Sequence, residues 1–286
     1  MTTARIVLAA AGLAALSALG PAAGAAAAAA PAARPAAVRM LPAAQRGAAA
    51  VSTVYSVEEA GYQASGSGHR FRYVRATLRL PDSARSPYTR GEGVSVQLRS
   101  ANETVVLVIA ATPGARVWNA GVKVERRQGQ GGCMKKDGCF THVNTHSPPF
   151  GTGNAVSFNL YYDRHSGTLY YTATDSTLGQ AFVGWFPDPA EQFTSARVGV
   201  EFGPNAWTPG SRYAPPSAAR QLASFTGVRF TAYNGSQGAI GGATWTTSRV
   251  LATSTGTARG TRIATPSLPR ASGATTFTVT AARKKK

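Results

Sequence analysis

From about residue 70 onward, apolar residues recur at every second position in short runs, and turn residues cut each run off. Side chains on a strand alternate faces with period two, whereas a helix needs a period near 3.6, so this pattern restricts the chain to strands. Eleven segments carry it: Phe71–Leu80, Gly93–Arg99, Thr104–Ala111, Ala120–Arg126, Ala155–Tyr162, Thr168–Asp175, Ala181–Phe186, Ala196–Phe202, Ala223–Tyr233, Ser248–Ser254 and Thr275–Ala281. Turn chemistry separates them at Pro81-Asp82, Arg164–Gly167, Pro187–Pro189 and Asn234-Gly235. The segments on either side of Asp163–Gly167 predict a hairpin. Helical periodicity is nearly absent after the N-terminal leader. Many short strands joined by turns predict an all-β fold, an antiparallel two-sheet β-sandwich. Eleven strands exceed a small immunoglobulin-type domain, so the expectation is a larger, curved sandwich with a concave face.

The first 50 residues have a different character. Arg5 is followed by an uncharged apolar run, Ile6–Leu19, and by small residues from Pro21 to Ala30 that offer Ala-x-Ala cleavage choices. The run is short for a membrane span, so residues 1–30 read as a signal peptide. Residues 31–50 are Ala/Pro-rich without strand alternation and read as a spacer or a pro-segment. The sandwich is then expected over 51–282, with a basic tail at 283–286, in a secreted, extracellular protein without a membrane span. Roughly 230 residues suit one large β-domain.

The 286-residue chain carries 30 Lys and Arg against 12 Asp and Glu, a net charge of +18. Such a surface attracts polyanions non-specifically. No helix-turn-helix, zinc-finger or RNP-type signature accompanies the charge, so a dedicated nucleic-acid site is not expected. Acidic residues are scarce, which singles out Glu201. In Ala196–Phe202 the residues Ala196, Val198, Val200 and Phe202 fall on one side, and Arg197, Gly199 and Glu201 on the other. A lone carboxylate in mid-strand is either a solvated strand residue or a catalytic or binding group.

Other chemistries find less support. There is no Gly-x-Ser-x-Gly elbow, and His69, His142, His146 and His165 all read as loop residues. The paired carboxylates of a glycosidase are not evident. Cys133 and Cys139, followed by His142 and His146, superficially resemble a zinc site. The spacing is uncommon for zinc, and an exported chain oxidises nearby thiols, so a disulfide is the expectation and no metal or cofactor is implied. Trp118, Trp185, Trp207, Trp245, Tyr161, Tyr170, Tyr171 and Tyr213 are candidates to line a cleft, or else sandwich core.

The order of motifs resembles the eqolisins, the glutamic peptidases. Gly61–Gly68 and then Val74–Pro81 resemble the family's opening, and Gly93–Leu98 resembles its Trp-Val-Gly-Ile-Asp-Gly strand. Glu103–Val108 resembles the strand bearing the catalytic Gln, Ala196–Glu201 the strand bearing the catalytic Glu, and Phe225–Phe230 the closing strand. The resemblance runs over about residues 55–281 and is one of order and pattern with few identities. It implies a concanavalin-like sandwich of two antiparallel sheets and a metal-free acid endopeptidase. In that family a Glu is the general base, and a Gln amide stabilises the oxyanion. Glu201 matches the base. Val108 stands at the Gln register, and an isopropyl group donates no hydrogen bond. Gln97, at the register of the family's Asp, is the amide that remains. The leading Trp is absent. Two readings follow: a divergent acid endopeptidase using Glu201 and Gln97, or a non-catalytic module binding a glycan, peptide or wall polymer in its concave cleft.

Thiol titration of the native exported protein should find no free thiol at Cys133 and Cys139. Two titratable thiols would contradict the pairing.

Overall fold

The computed structural model describes residues 51–80, 93–111, 117–127, 139–144, 147–188, 192–202, 220–241, 245–271 and 273–282. Among them there is no helix, and so none long and apolar enough to cross a membrane. In chain order the strands are β1 (Ser52–Ser56), β2 (Glu59–Ser65), β3 (Phe71–Arg79), β4 (Gly93–Arg99), β5 (Glu103–Ala111), β6 (Val117–Arg126), β7 (Cys139–Asn144), β8 (Phe150–Gly151) and β9 (Ala155–Asp163). They continue as β10 (Thr168–Asp175), β11 (Gln180–Pro187), β12 (Ser195–Glu201), β13 (Arg220–Ala232), β14 (Gln237–Gly238), β15 (Thr246–Thr253), β16 (Arg262–Pro266) and β17 (Phe277–Ala281).

Hydrogen bonding orders these strands into two layers. The first sheet runs β1-β15-β2-β12-β4-β5-β6, with β7 and β8 both on the far side of β6. The second runs β16-β17-β13-β3-β9-β10-β11, with β14 beside the end of β13. A short pairing of β15 with β16 joins the layers at one edge. Every pairing is antiparallel except β1 with β15. This is the expected all-β sandwich.

The core lies between the layers because one face of each strand is apolar. Val94, Val96 and Leu98 of β4 and Ala196, Val198 and Val200 of β12 point inward from the first sheet, all essentially buried. Val74, Ala76 and Leu78 of β3 and Val156, Phe158 and Leu160 of β9 meet them from the second. Burying such a side chain is worth about 1.5–3 kcal/mol, so the alternation that predicts the strands also supplies the stabilisation. The predicted hairpin is present: β9 and β10 pair from Asp163–Thr168 to Val156–Asp175. Asp163 accepts hydrogen bonds from the His165 amide and the Ser166 hydroxyl, and Gly167 takes the left-handed φ that closes the turn.

The sequence reading misses β1, β2, β7, β8, β14 and β16. Several are short, and β2 reads as a Gly-punctuated opening rather than a strand. It nonetheless alternates, with Ala60, Tyr62 and Ala64 in the core. His142, read as a loop residue, lies within β7.

Between β2 and β12 the backbones approach unusually closely. Gly61 and Gly199 pair directly. A Cβ on Gly61 would stand 2.1 Å from the Val198 carbonyl oxygen, and one on Gly199 2.5 Å from that of Ala60. Gly61→Ala and Gly199→Ala should therefore each lower stability by about 1–3 kcal/mol in denaturant titrations. Gly121→Ala, where the added carbon meets nothing nearer than 3.6 Å, should not. Equal stability of the three variants would refute the close approach.

Candidate functional site

On β2, β12 and β4 the outward face of the first sheet is polar and largely buried, an unusual condition for a face turned away from the core. Ser95 and Gln97 of β4 are each only 2% exposed. Register explains the grouping. Arg197 of β12 lies between Gln97 of β4 and Gln63 of β2, and Glu201 lies between Gly93 and Glu59. Gly61 and Gly199 stand between these two levels and raise no side chain. The longer neighbours fold over the gap and leave a small cavity lined by Glu59, Gly61, Ser95, Gln97, Arg197 and Gly199.

Glu59 is the hub of this layer. Its Oε1 accepts from Gln97 Nε2 at 2.7 Å. Its Oε2 is ion-paired with Arg197 and lies 3.3 Å from Arg99 Nη1. Arg197 Nε also donates to Gln63 Oε1 at 2.5 Å. Burial pushes the Glu59 carboxyl upward, but the two guanidinium groups and the Gln97 amide outweigh it and hold the group below its ordinary value.

Glu201 sits in a second station. Its Oε1 is ion-paired with Lys123 of β6, which also lies 3.1 Å from Glu125. On a flat sheet Lys123, level with Gln97 and Arg197, stands three strands (about 14 Å) across and four residues (about 13 Å) along from Glu201. The contact therefore requires the strands to curl toward one another, which makes this face concave. Burial raises the Glu201 carboxyl to about 7 against the pull of Lys123, with Glu59 and Glu125 adding to the rise. Burial pulls the Lys123 ammonium down, but Glu201 and Glu125 outweigh it and raise its affinity for a proton.

The two predicted site residues thus share a face but not a contact. Gln97 lies four register positions from Glu201 and spends its amide on Glu59, the residue paired with Glu201 on the neighbouring strand. Both hydrogens of the Gln97 amide have acceptors, Glu59 at 2.7 Å and Ser95 Oγ at 3.2 Å. Val108 leans toward Gly93, the residue paired with Glu201. A Cβ at Gly93 would be 2.7 Å from a Val108 methyl. Two acceptors on this face, Gln97 Oε1 and Glu201 Oε2, are buried without a hydrogen-bond partner among the described residues.

Sequence reasoning missed Glu59 and Lys123. Glu59 reads as a loop or edge residue, and the signal that finds it is the alternation of β2, which puts Glu59, Gly61 and Gln63 on the face of Glu201. Lys123 follows in the same way from β6, where it alternates with Val122 and Val124. Of the candidate cleft aromatics, Trp118, Tyr171 and Trp245 are buried in the core. Tyr161, Tyr170 and Trp185 lie on the second sheet, outside this cleft, because β9, β10 and β11 belong to the other layer. His69 is half-buried, its ring edge-on to Trp245 at 5.9 Å. Trp207, Tyr213, Cys133 and His146 lie outside the described residues.

No protein-family model matches the sequence, and no curated protein matches it. Solved structures do. A scytalido-glutamic peptidase bound to a transition-state analogue inhibitor superposes with a TM-score of 0.53 at 13% identity, covering 80% of this chain and 100% of that one. SCP-B, a member of the eqolisin family of peptidases in complex with the tripeptide Ala-Ile-His, gives 0.47 at 13% identity over the same shares. The first likeness is one of fold, and the chain has an eqolisin-like sandwich.

A carboxyl raised on folding favours the folded state while it is protonated. Its contribution is complete below the unfolded value near 4.5 and is lost as pH rises through about 7. Glu201→Gln should remove on the order of 1–3 kcal/mol of the pH dependence of stability across that window. Chemical denaturation at a series of pH values tests this, and an unchanged profile would contradict the burial of Glu201.

Proposed function

We propose that this chain is an exported eqolisin-scaffold protein that receives an extended polypeptide on the concave face of its first sheet and holds it without hydrolysis in acid. One observation carries the reading. Both candidate catalytic groups are engaged by other side chains, Glu201 by Lys123 and Gln97 by Glu59 and Ser95, while each keeps one buried acceptor unpartnered. A buried acceptor without a donor costs about 1–3 kcal/mol, and the amide N–H groups of a bound peptide would supply the donors. A general base must be ionised to abstract a proton, and a carboxyl raised to about 7 is protonated in acid. An acyl-transfer site also needs a donor aimed at the developing oxyanion. On this reading Val108, at the family's Gln register, supplies none.

A second reading keeps the enzyme. Glu201 serves as base near neutral pH, and the Lys123 ammonium beside it supplies the electrostatic stabilisation that an amide would otherwise give. The ion pair between them and the raised Glu201 carboxyl favour this version over the acid mechanism that joins Glu201 to Gln97.

Quenched peptide libraries and a denatured protein substrate, tested from strongly acidic to slightly alkaline pH, separate the readings. The first predicts saturable peptide binding, weakened about tenfold by Glu201→Gln, with no cleavage at any pH. Cleavage near neutrality that vanishes in both Glu201→Gln and Lys123→Met would establish the second. Cleavage in strong acid that requires Gln97 would overturn both. Val108→Gln adds an amide beside Gly93 and should not restore acid cleavage while Lys123 holds Glu201.

A further inference from the structure

The second sheet has its own solvent face, on the opposite side of the sandwich from Glu201, and one row across it is aromatic. Tyr73, Tyr161, Tyr170 and Trp185 occupy mutually paired positions on β3, β9, β10 and β11. Strand spacing places the four rings along a line about 14 Å long. Tyr161 and Tyr170 have ring centroids 6.0 Å apart and planes inclined by only 30°. Trp185 is 64% exposed and Tyr170 40%, so the row ends in open rings. Alternation alone would favour polar residues at these positions, and the core makes no use of these side chains.

The next row on the same face is polar and basic. Arg229, Arg75, Asn159 and Thr172 pair in sequence across β13, β3, β9 and β10, and the row ends on β11 in the exposed Val183. Both arginines are exposed. On these strands and β11, the one carboxylate of this face among the described residues is Asp163, and its oxygens are taken by the His165 amide and the Ser166 hydroxyl of the hairpin turn. The face thus joins a track of rings to a parallel track of two cations with amide and hydroxyl groups.

We propose that this face binds an acidic polysaccharide, one that carries a carboxylate on some of its sugars. Sugar rings present an apolar C–H face that stacks on aromatic side chains, and an edge of hydroxyls that hydrogen-bonds to Asn159 and Thr172. Arg75 and Arg229 pair with the carboxylates. The charge count selects this occupant. A single-stranded nucleic acid brings a phosphate with every base it stacks, four for four rings, against the two arginines of the adjacent row, with Arg79 a further two rows along β3. A lipid surface needs a continuous apolar patch, and the polar row interrupts one. The site is independent of the peptide cleft on the first sheet.

Isothermal titration of the whole mature protein with polygalacturonate fragments at moderate ionic strength tests the site, with dextran as neutral control and poly(dT) as competitor. Tyr170→Ala combined with Trp185→Ala leaves the net charge unchanged, and because both side chains are exposed the variant should fold with an unaltered melting temperature. It should lose about tenfold or more in affinity. Arg75→Ala with Arg229→Ala should lose as much, while Arg259→Ala with Arg262→Ala, the same charge removed from other exposed positions, should stay within about twofold of the parent. Glu201→Gln should not affect this binding. The proposal is overturned if the aromatic variant binds like the parent, if the two arginine pairs lose affinity equally, or if poly(dT) binds more tightly than polygalacturonate with the same sensitivity to the aromatic variant.

Discussion

Everything on the concave face depends on how one carboxylate, Glu59, is held. It is half-buried, and it neutralises Arg197 while orienting Gln97 and Arg99. A buried ion pair earns little over a well-packed apolar pair, but removing one partner strands the other charge and costs about 3–5 kcal/mol. The layer therefore stands or falls as a unit. It is possible only because Gly61 and Gly199 omit their side chains, let β2 and β12 close on one another and open the space into which Glu59 and Arg197 reach.

Two carboxylates paired at one level of adjacent strands consequently have opposite character. Glu59 faces two guanidinium groups and an amide, which hold its carboxyl below the ordinary value against burial. Glu201 faces one ammonium, shared with Glu125, and burial dominates. The first is a fixed anion that organises the face. The second changes charge near neutrality, so the charge of the face follows pH through Glu201.

The fold was legible because a sandwich writes its alternation directly into the sequence. Phe158, Leu160 and Tyr162 against Asn159 and Tyr161 announce β9, and its pairing with β10 follows from the turn at Asp163–Gly167. Glu201 was legible by the same rule. Glu59 was hidden because β2 carries two small Ala residues and a Gly, which weakens the apolar signal, and because its partners come from β12 and β4, far away in sequence. Lys123 was hidden for a related reason. Only the curvature of the sheet brings β6 to β12, and curvature is a property of the whole layer rather than of any segment. The same limit misplaced the aromatics: parity assigns Tyr170 and Trp185 to a solvent face, but not to one of the two sheets.

The central claim is that Glu201 is a buried carboxyl restrained by Lys123 and not a free acid-range base. Its titration in the folded protein, followed through the side-chain carboxyl carbon by NMR, tests this most directly. The account predicts a midpoint near 7 that rises further in Lys123→Met. A midpoint at the ordinary glutamate value, unmoved by Lys123→Met, would contradict it.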